Sequence, residues 1–148
     1  MSGSAITAAM AVVAGLAGAV QVAVMAGLGD RIGSVGALAF ATVVSAVLAV
    51  VALLVAEGSF DAFSRAVHQP WWTLTGGLVG LFILLTITVA GSRIGIVATV
   101  GILIAGQLVM GAVIDRFGLF GVDRVALGWP RVLGVVLLAV GAGLTLKR

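Results

Sequence analysis

The 148-residue chain contains no cysteine and no tyrosine, and it has two prolines and one histidine. Without cysteine, disulfides and thiolate metal sites are excluded, and the redox compartment leaves no trace. Charge is scarce as well. Lys, Arg, Asp and Glu make up 9% of the chain, against about a quarter in a soluble globular domain. The carboxylates Asp30, Glu57, Asp61, Asp115 and Asp123 are dispersed, with no pair placed for general acid–base work. HExxH, a nucleophile elbow and a phosphate loop are also missing. The glycines of TGGLVG (75–80) lie in an apolar run, without the strand–turn–helix setting of a dinucleotide site. No enzyme, no metal and no cofactor is expected. The isoelectric point of 11.2 rests on eight basic residues, mostly single, whereas neutralising a nucleic-acid backbone needs clustered charge. Nucleic acid is therefore no expected partner.

Apolar residues fill the space. They form 62% of the chain, and the mean hydropathy is +1.34. Runs of about 20 apolar residues recur, each long enough to cross the roughly 30 Å hydrocarbon core as a helix. The composition predicts an all-α integral membrane protein, one transmembrane domain over 1–148 with five spans at about 5–28, 32–56, 71–90, 94–114 and 132–146. No Lys or Arg precedes the first run, which argues against a cleaved signal peptide and keeps that run in the mature protein. Trp129–Pro130 suits helix entry at the headgroup level and could start the short last span earlier, and Lys147–Arg148 close it.

Two connections can hold structure. In EGSFDAFSRAVHQP (57–70), Phe60, Phe63 and Val67 share one helical face, and Asp61, Arg65 and His68 share the other. The pattern predicts an interfacial helix at about 59–68, capped by Ser59. DRFGLFGVDRVALGWP (115–130) reads as a compact loop, and GDRIG and GSRIG read as tight turns. Small residues at four-residue spacing, Gly76 with Gly80 above all, with Gly15–Ala19 and Gly101–Ala105, are assigned to helix packing, as are Gly106 and Gly111.

Five spans would put the termini on opposite faces. One face then carries Arg65, Arg116, Arg124 and Arg131, and the other carries Arg31, Arg93, Lys147 and Arg148. Four against four gives the positive-inside rule nothing to act on. The expectation is dual topology, with an inverted homodimer or an oppositely oriented paralogue as the partner.

Within the spans, Ser and Thr can return their hydroxyls to the helix backbone and carry little information. A primary amide is harder to satisfy, with two donors and two acceptor lone pairs. Gln21 and Gln107, about two-thirds along their spans, are therefore candidate substrate contacts, with Ser45. Trp72 is a further candidate, although Trp71 and Trp72 equally suit the aromatic belt. Asp115 and Arg116, adjacent where the fourth span ends, read as a gate or an interfacial anchor. No carboxylate lies at mid-membrane, so a coupling ion would have to use Asp115, or there is none.

QPWWTLTGGLVG (69–80) and IAGQLVMGAVIDRFGLFG (104–121), in this order, resemble the signature of the YdcZ-type proteins, small five-span members of the drug/metabolite transporter (EamA-like) superfamily. The resemblance includes Gln21 and the GSV turn at 33–35. It departs at Met25 and Val35, where that family commonly has Asn and Pro. It implies half of a ten-helix inverted-repeat carrier in the bacterial inner membrane, moving a small molecule by alternating access. A dual-topology channel and a non-transporting accessory subunit are the rival expectations.

Overall fold

The computed structural model describes residues 3–126 and 128–146, so Lys147 and Arg148 lie outside the described residues. Among the described residues every regular element is helical. The α-helices are α1 (Gly3–Ile32), α2 (Ser34–Glu57), α3 (Asp61–Val67), α4 (Thr75–Ile94), α5 (Ile96–Phe117) and α6 (Trp129–Leu144). Short 3-10 turns at Trp71–Leu74 and Leu119–Gly121 precede α4 and follow α5.

Four helical stretches are long and apolar enough to cross a membrane: Gly3–Ile32, Ser34–Glu57, Trp71–Ile94 and Ile96–Phe117. The sequence places a fifth span at 132–146. The helix found there, α6, starts three residues earlier at Trp129, with Pro130 in its first turn, and ends at Leu144. Its 16 residues reach about 24 Å at 1.5 Å per residue, less than the other four.

Backbone chemistry explains the breaks. GDRIG and GSRIG are not separate loops, because α1 runs through Ile32 and α4 through Ile94. A single glycine interrupts the chain each time, Gly33 at φ 82°, ψ 149° and Gly95 at φ 85°, ψ 161°. That combination is open essentially to glycine alone. The fourth expected span also runs three residues longer, so Asp115 and Arg116 belong to α5 rather than to the loop. The segment expected at the interface is helical over Asp61–Val67, and its cap position is Phe60, not Ser59. The Ser59 hydroxyl still accepts the Asp61 N–H, at 3.4 Å. Arg65 pairs with Glu57 at 3.2 Å.

Four threonine hydroxyls within the spans are satisfied locally. Thr42, Thr86, Thr88 and Thr99 each donate to the carbonyl four residues back, at 2.7–2.8 Å. Most large apolar side chains on the helices are exposed, an arrangement only lipid or another apolar surface can cover.

The chain divides into two compact units, one from the described parts of residues 1–23 and 93–148, the other from residues 24–92. In the second unit two helices come close at Gly29, where an added Cβ would sit 2.7 Å from Thr88 Cγ2. In the first unit they do so at Gly101, whose Cβ would lie 3.5 Å from Ala142. Around Gly76, Gly80, Gly106 and Gly111 nothing lies within 4 Å of such an atom. The close contacts between helices found at glycines fall at Gly29 and Gly101 rather than at these four.

Candidate functional site: a groove between α5 and α6

The site lies wholly in the first unit. Helices α5 and α6 run antiparallel, because Gly101 meets Ala142 at one end and Asp115 meets Arg131 at the other. Gln107, Gly111 and Asp115 follow one another at four-residue spacing, which lines them up along one face of α5. Facing them on α6 are Arg131, Gly134, Val135 and Leu138. Neither Gly111 nor Gly134 carries a side chain, so the helices leave a cavity of about 390 Å³ between them. Its walls are mostly apolar. The Gln107 amide lies along it and an ion pair stands at one end.

That pair joins Asp115 to α6. Asp115 Oδ2 accepts from Arg131 Nη1 at 3.3 Å, and its sequence neighbour Arg116 is not its partner. Consecutive helical residues point about 100° apart. Arg116 accordingly lines a different cavity of about 280 Å³, with Val113, Phe117 and Val132. Asp115 is held twice, since its backbone carbonyl also accepts the Val125 N–H at 2.9 Å. That bond folds the 118–125 segment back over the end of α5. Gly118 permits the reversal, capping α5 in the left-handed conformation at φ 65°.

Electrostatics explains the pairing. Asp115 sits in the last turn of α5, at the negative end of that helix, and Arg131 sits in the first turn of α6, at its positive end. Each charge is misplaced on its own helix and well placed against its neighbour's terminus. Both side chains stay partly exposed, at 38% and 54%, and the single contact leaves most of their hydrogen-bonding capacity free. Gln107 makes no side-chain hydrogen bond among the described residues. A molecule in this groove would meet apolar walls, one free amide, and a carboxylate and guanidinium side by side.

The other candidates lie elsewhere. Gln21 is exposed on α1, in the same unit, and does not line this cavity. Ser45 is exposed on α2, in the second unit. Trp72, 40% exposed, lies in the turn before α4, where its carbonyl accepts the Thr75 hydroxyl at 2.6 Å. Arg131 was missed in sequence because it was counted with the loop. The readable signal was a cation in the first turn of a helix beginning at Trp129–Pro130, a place where cations are disfavoured. A second cavity in the unit, about 420 Å³ between Ala19, α5 and α6, offers Thr145 as its only polar side chain.

Exposed apolar helices of spanning length, broken by single glycines, define a multi-pass membrane protein. The chain belongs to the YdcZ family, matching the family described as "Putative inner membrane exporter, YdcZ" over residues 6–144. It is also similar to the inner membrane protein YdcZ of Escherichia coli (strain K12), 38% identical over 78 residues. That stretch covers 53% of this chain and 52% of the relative, so the match spans about half of each. No solved structure matches. These matches put the protein in the inner membrane as a multi-pass member of a transporter family.

Proposed function

We propose that the protein is a small-molecule transporter protomer that works by alternating access as an antiparallel, dual-topology dimer. The observation that carries transport is membership, over residues 6–144, of a family described as an exporter. In this reading α6 is the fifth span, shortened and anchored by Arg131 at the headgroups, and five spans form half of a ten-helix inverted repeat. The equal division of Lys and Arg between the two faces supports insertion in both orientations, with its own inverted copy as partner. Gln107 and the Asp115–Arg131 pair contact the substrate in the groove, while Gln21, Ser45 and Trp72 are further proposed contacts. Gly76, Gly80, Gly106 and Gly111, open within one chain, pack against the second copy.

Orientation is tested with single cysteines replacing Ser2 or Lys147 in this cysteine-free sequence, labelled from outside intact cells. Partial labelling at both positions supports dual topology, and labelling at one alone rejects it. A channel is separated from a carrier by flux in reconstituted vesicles, since only a carrier saturates and shows counterflow. An accessory subunit gives no flux, and Gln107→Leu in it is neutral or stabilising.

A further inference from the structure

The antiparallel pair of α5 and α6 has a second face. At about 100° per residue, Val109, Val113 and Arg116 fall nearly opposite Gln107, Gly111 and Asp115 on α5. Val132 and Val136 turn away in the same manner from Arg131, Gly134 and Leu138 on α6. Ala112 and Val135 line the cavities on both faces and so form the seam between them. The cavity of about 280 Å³ on the second face is therefore a groove of its own, built entirely within the first unit.

Its chemistry differs from that of the first groove. Valine dominates the walls, and Arg116 is the one polar side chain that lines it. Valine is β-branched and stiff at χ1, so these walls keep their shape. Arg116 is exposed and makes no hydrogen bond or ion pair within the described residues. Its five donors are left for an outside acceptor. Of the acidic groups at this end of the pair, Asp115 is taken by Arg131, and Asp123 forms no ion pair within the described residues. The negative carboxyl end of α5 accounts for a cation in its last turn, but not for an apolar groove that ends on that cation.

Length points to the occupant. From Val109 to Arg116 the groove runs seven residues (116 − 109 = 7) along α5, about 10 Å at 1.5 Å per residue. One leaflet holds about 15 Å of hydrocarbon, half of the bilayer core. α5 is long and apolar enough to span that core, and Arg116 lies in its last turn. The groove thus fits inside a single leaflet, with its guanidinium at headgroup depth. We propose that it binds one anionic phospholipid, an acyl chain lying along the valines and the phosphate accepting charge-assisted hydrogen bonds from Arg116. A zwitterionic lipid brings its own cation to its phosphate and gains less from Arg116. The inference needs only the membrane setting, and it stands whatever the groove on the other face carries.

The full-length protein in detergent micelles is titrated with phosphatidylglycerol, or with phosphatidylcholine of the same acyl chains, and bound lipid is read by native mass spectrometry. Phosphatidylglycerol should be held about fivefold more tightly or better, the worth of one cation at an anionic lipid surface. Arg116→Gln removes no contact within the described residues and should abolish the preference, whereas Arg116→Lys should keep most of it. Val136→Trp fills the groove while keeping the charge, and should weaken retention of phosphatidylglycerol by a similar factor. Arg93→Gln takes the same charge from the last turn of α4 and should leave the preference intact. Equal retention of the two lipids by the wild type, a preference that survives Arg116→Gln, or an equal loss in Arg93→Gln overturns the proposal. Displacement of the lipid by glycerol 1-phosphate also overturns it, in favour of a free-phosphate site. Efficient disulfide formation between two chains carrying Val113→Cys, in phosphatidylglycerol vesicles, would put a second copy over the groove and overturn it as well.

Discussion

Thr88 is the largest fully buried side chain among the described residues, and Gly29 is what makes room for it. A Cβ at position 29 would meet Thr88 Cγ2 at 2.7 Å, closer than carbon atoms tolerate. Thr88 cannot easily turn away, because its hydroxyl is fixed on the Leu84 carbonyl at 2.7 Å and β-branching restricts χ1. Gly29→Ala should therefore cost about 1–3 kcal/mol as overpacking, despite the better helix propensity of alanine. Thr88→Ser removes the offending methyl and keeps the hydroxyl, and alone should cost about 1 kcal/mol for the lost buried carbon. In the double variant the new Cβ fills the space vacated by Cγ2. The two changes together should then cost less than Gly29→Ala alone, a favourable coupling of about 1–2 kcal/mol. The assay is reversible unfolding in mixed micelles against a denaturing detergent. Gly27→Ala serves as the control, because nothing lies within 4 Å of its added Cβ. It should be neutral or stabilising by up to about 1 kcal/mol. If the double variant is additive within about 0.5 kcal/mol, the contact does not carry the effect and the packing argument fails.

Three further outcomes are expected. Gly118→Ala should destabilise by about 1–3 kcal/mol, because φ is 65° and the new Cβ would lie 3.1 Å from the Val122 carbonyl oxygen; thermal unfolding reads it. Phe120→Gly should be neutral or stabilising in the same assay, by up to about 1 kcal/mol, since Phe120 is the one non-glycine at positive φ among the described residues (61°). Gln107→Leu should leave unfolding unchanged, since the amide has no hydrogen bond to lose within the described residues. It should lower vesicle flux about tenfold or more, the worth of one lost polar contact near 1.4 kcal/mol; unchanged flux would remove Gln107 from the site.

Much of the architecture was legible because hydropathy and glycine chemistry are local. The membrane class followed from the apolar runs, and the breaks at 33 and 95 fell where the sequence shows a glycine between two such runs. What remained hidden was relational. Gly76 and Gly80 have the spacing of a packing motif yet face open space, while Gly29, at the same spacing from Gly33 in what reads as a turn, is pressed by Thr88. Spacing records which residues share a helix face, but not what lies opposite that face. The groove was half legible for the same reason. Gln107 and Asp115 declared themselves as polar groups in a greasy helix, whereas Gly134, Val135 and Leu138 look like any apolar turn until α6 is set against α5.

Asp115 and Arg131 show how such a relation could have been read, and they allow a test that separates structure from transport. Each is electrostatically misplaced on its own helix, so the wild-type pair relies on the neighbour's terminus. As a partly exposed pair it should contribute no more than about 1 kcal/mol. Either charge reversal alone, Asp115→Arg or Arg131→Asp, puts two like charges at the mouth and should lower stability, more so at low salt. The double exchange restores the pair and gives each helix its preferred charge, Arg at the end of α5 and Asp at the start of α6. Its stability should match or exceed wild type by about 0.3–1 kcal/mol, read by unfolding at low and high salt. If the pair is only an anchor, flux in vesicles should recover along with stability. If Asp115 and Arg131 meet the substrate from their own sides of the groove, the exchanged protein should be stable and inactive. Failure of the double exchange to recover stability would refute the pairing itself.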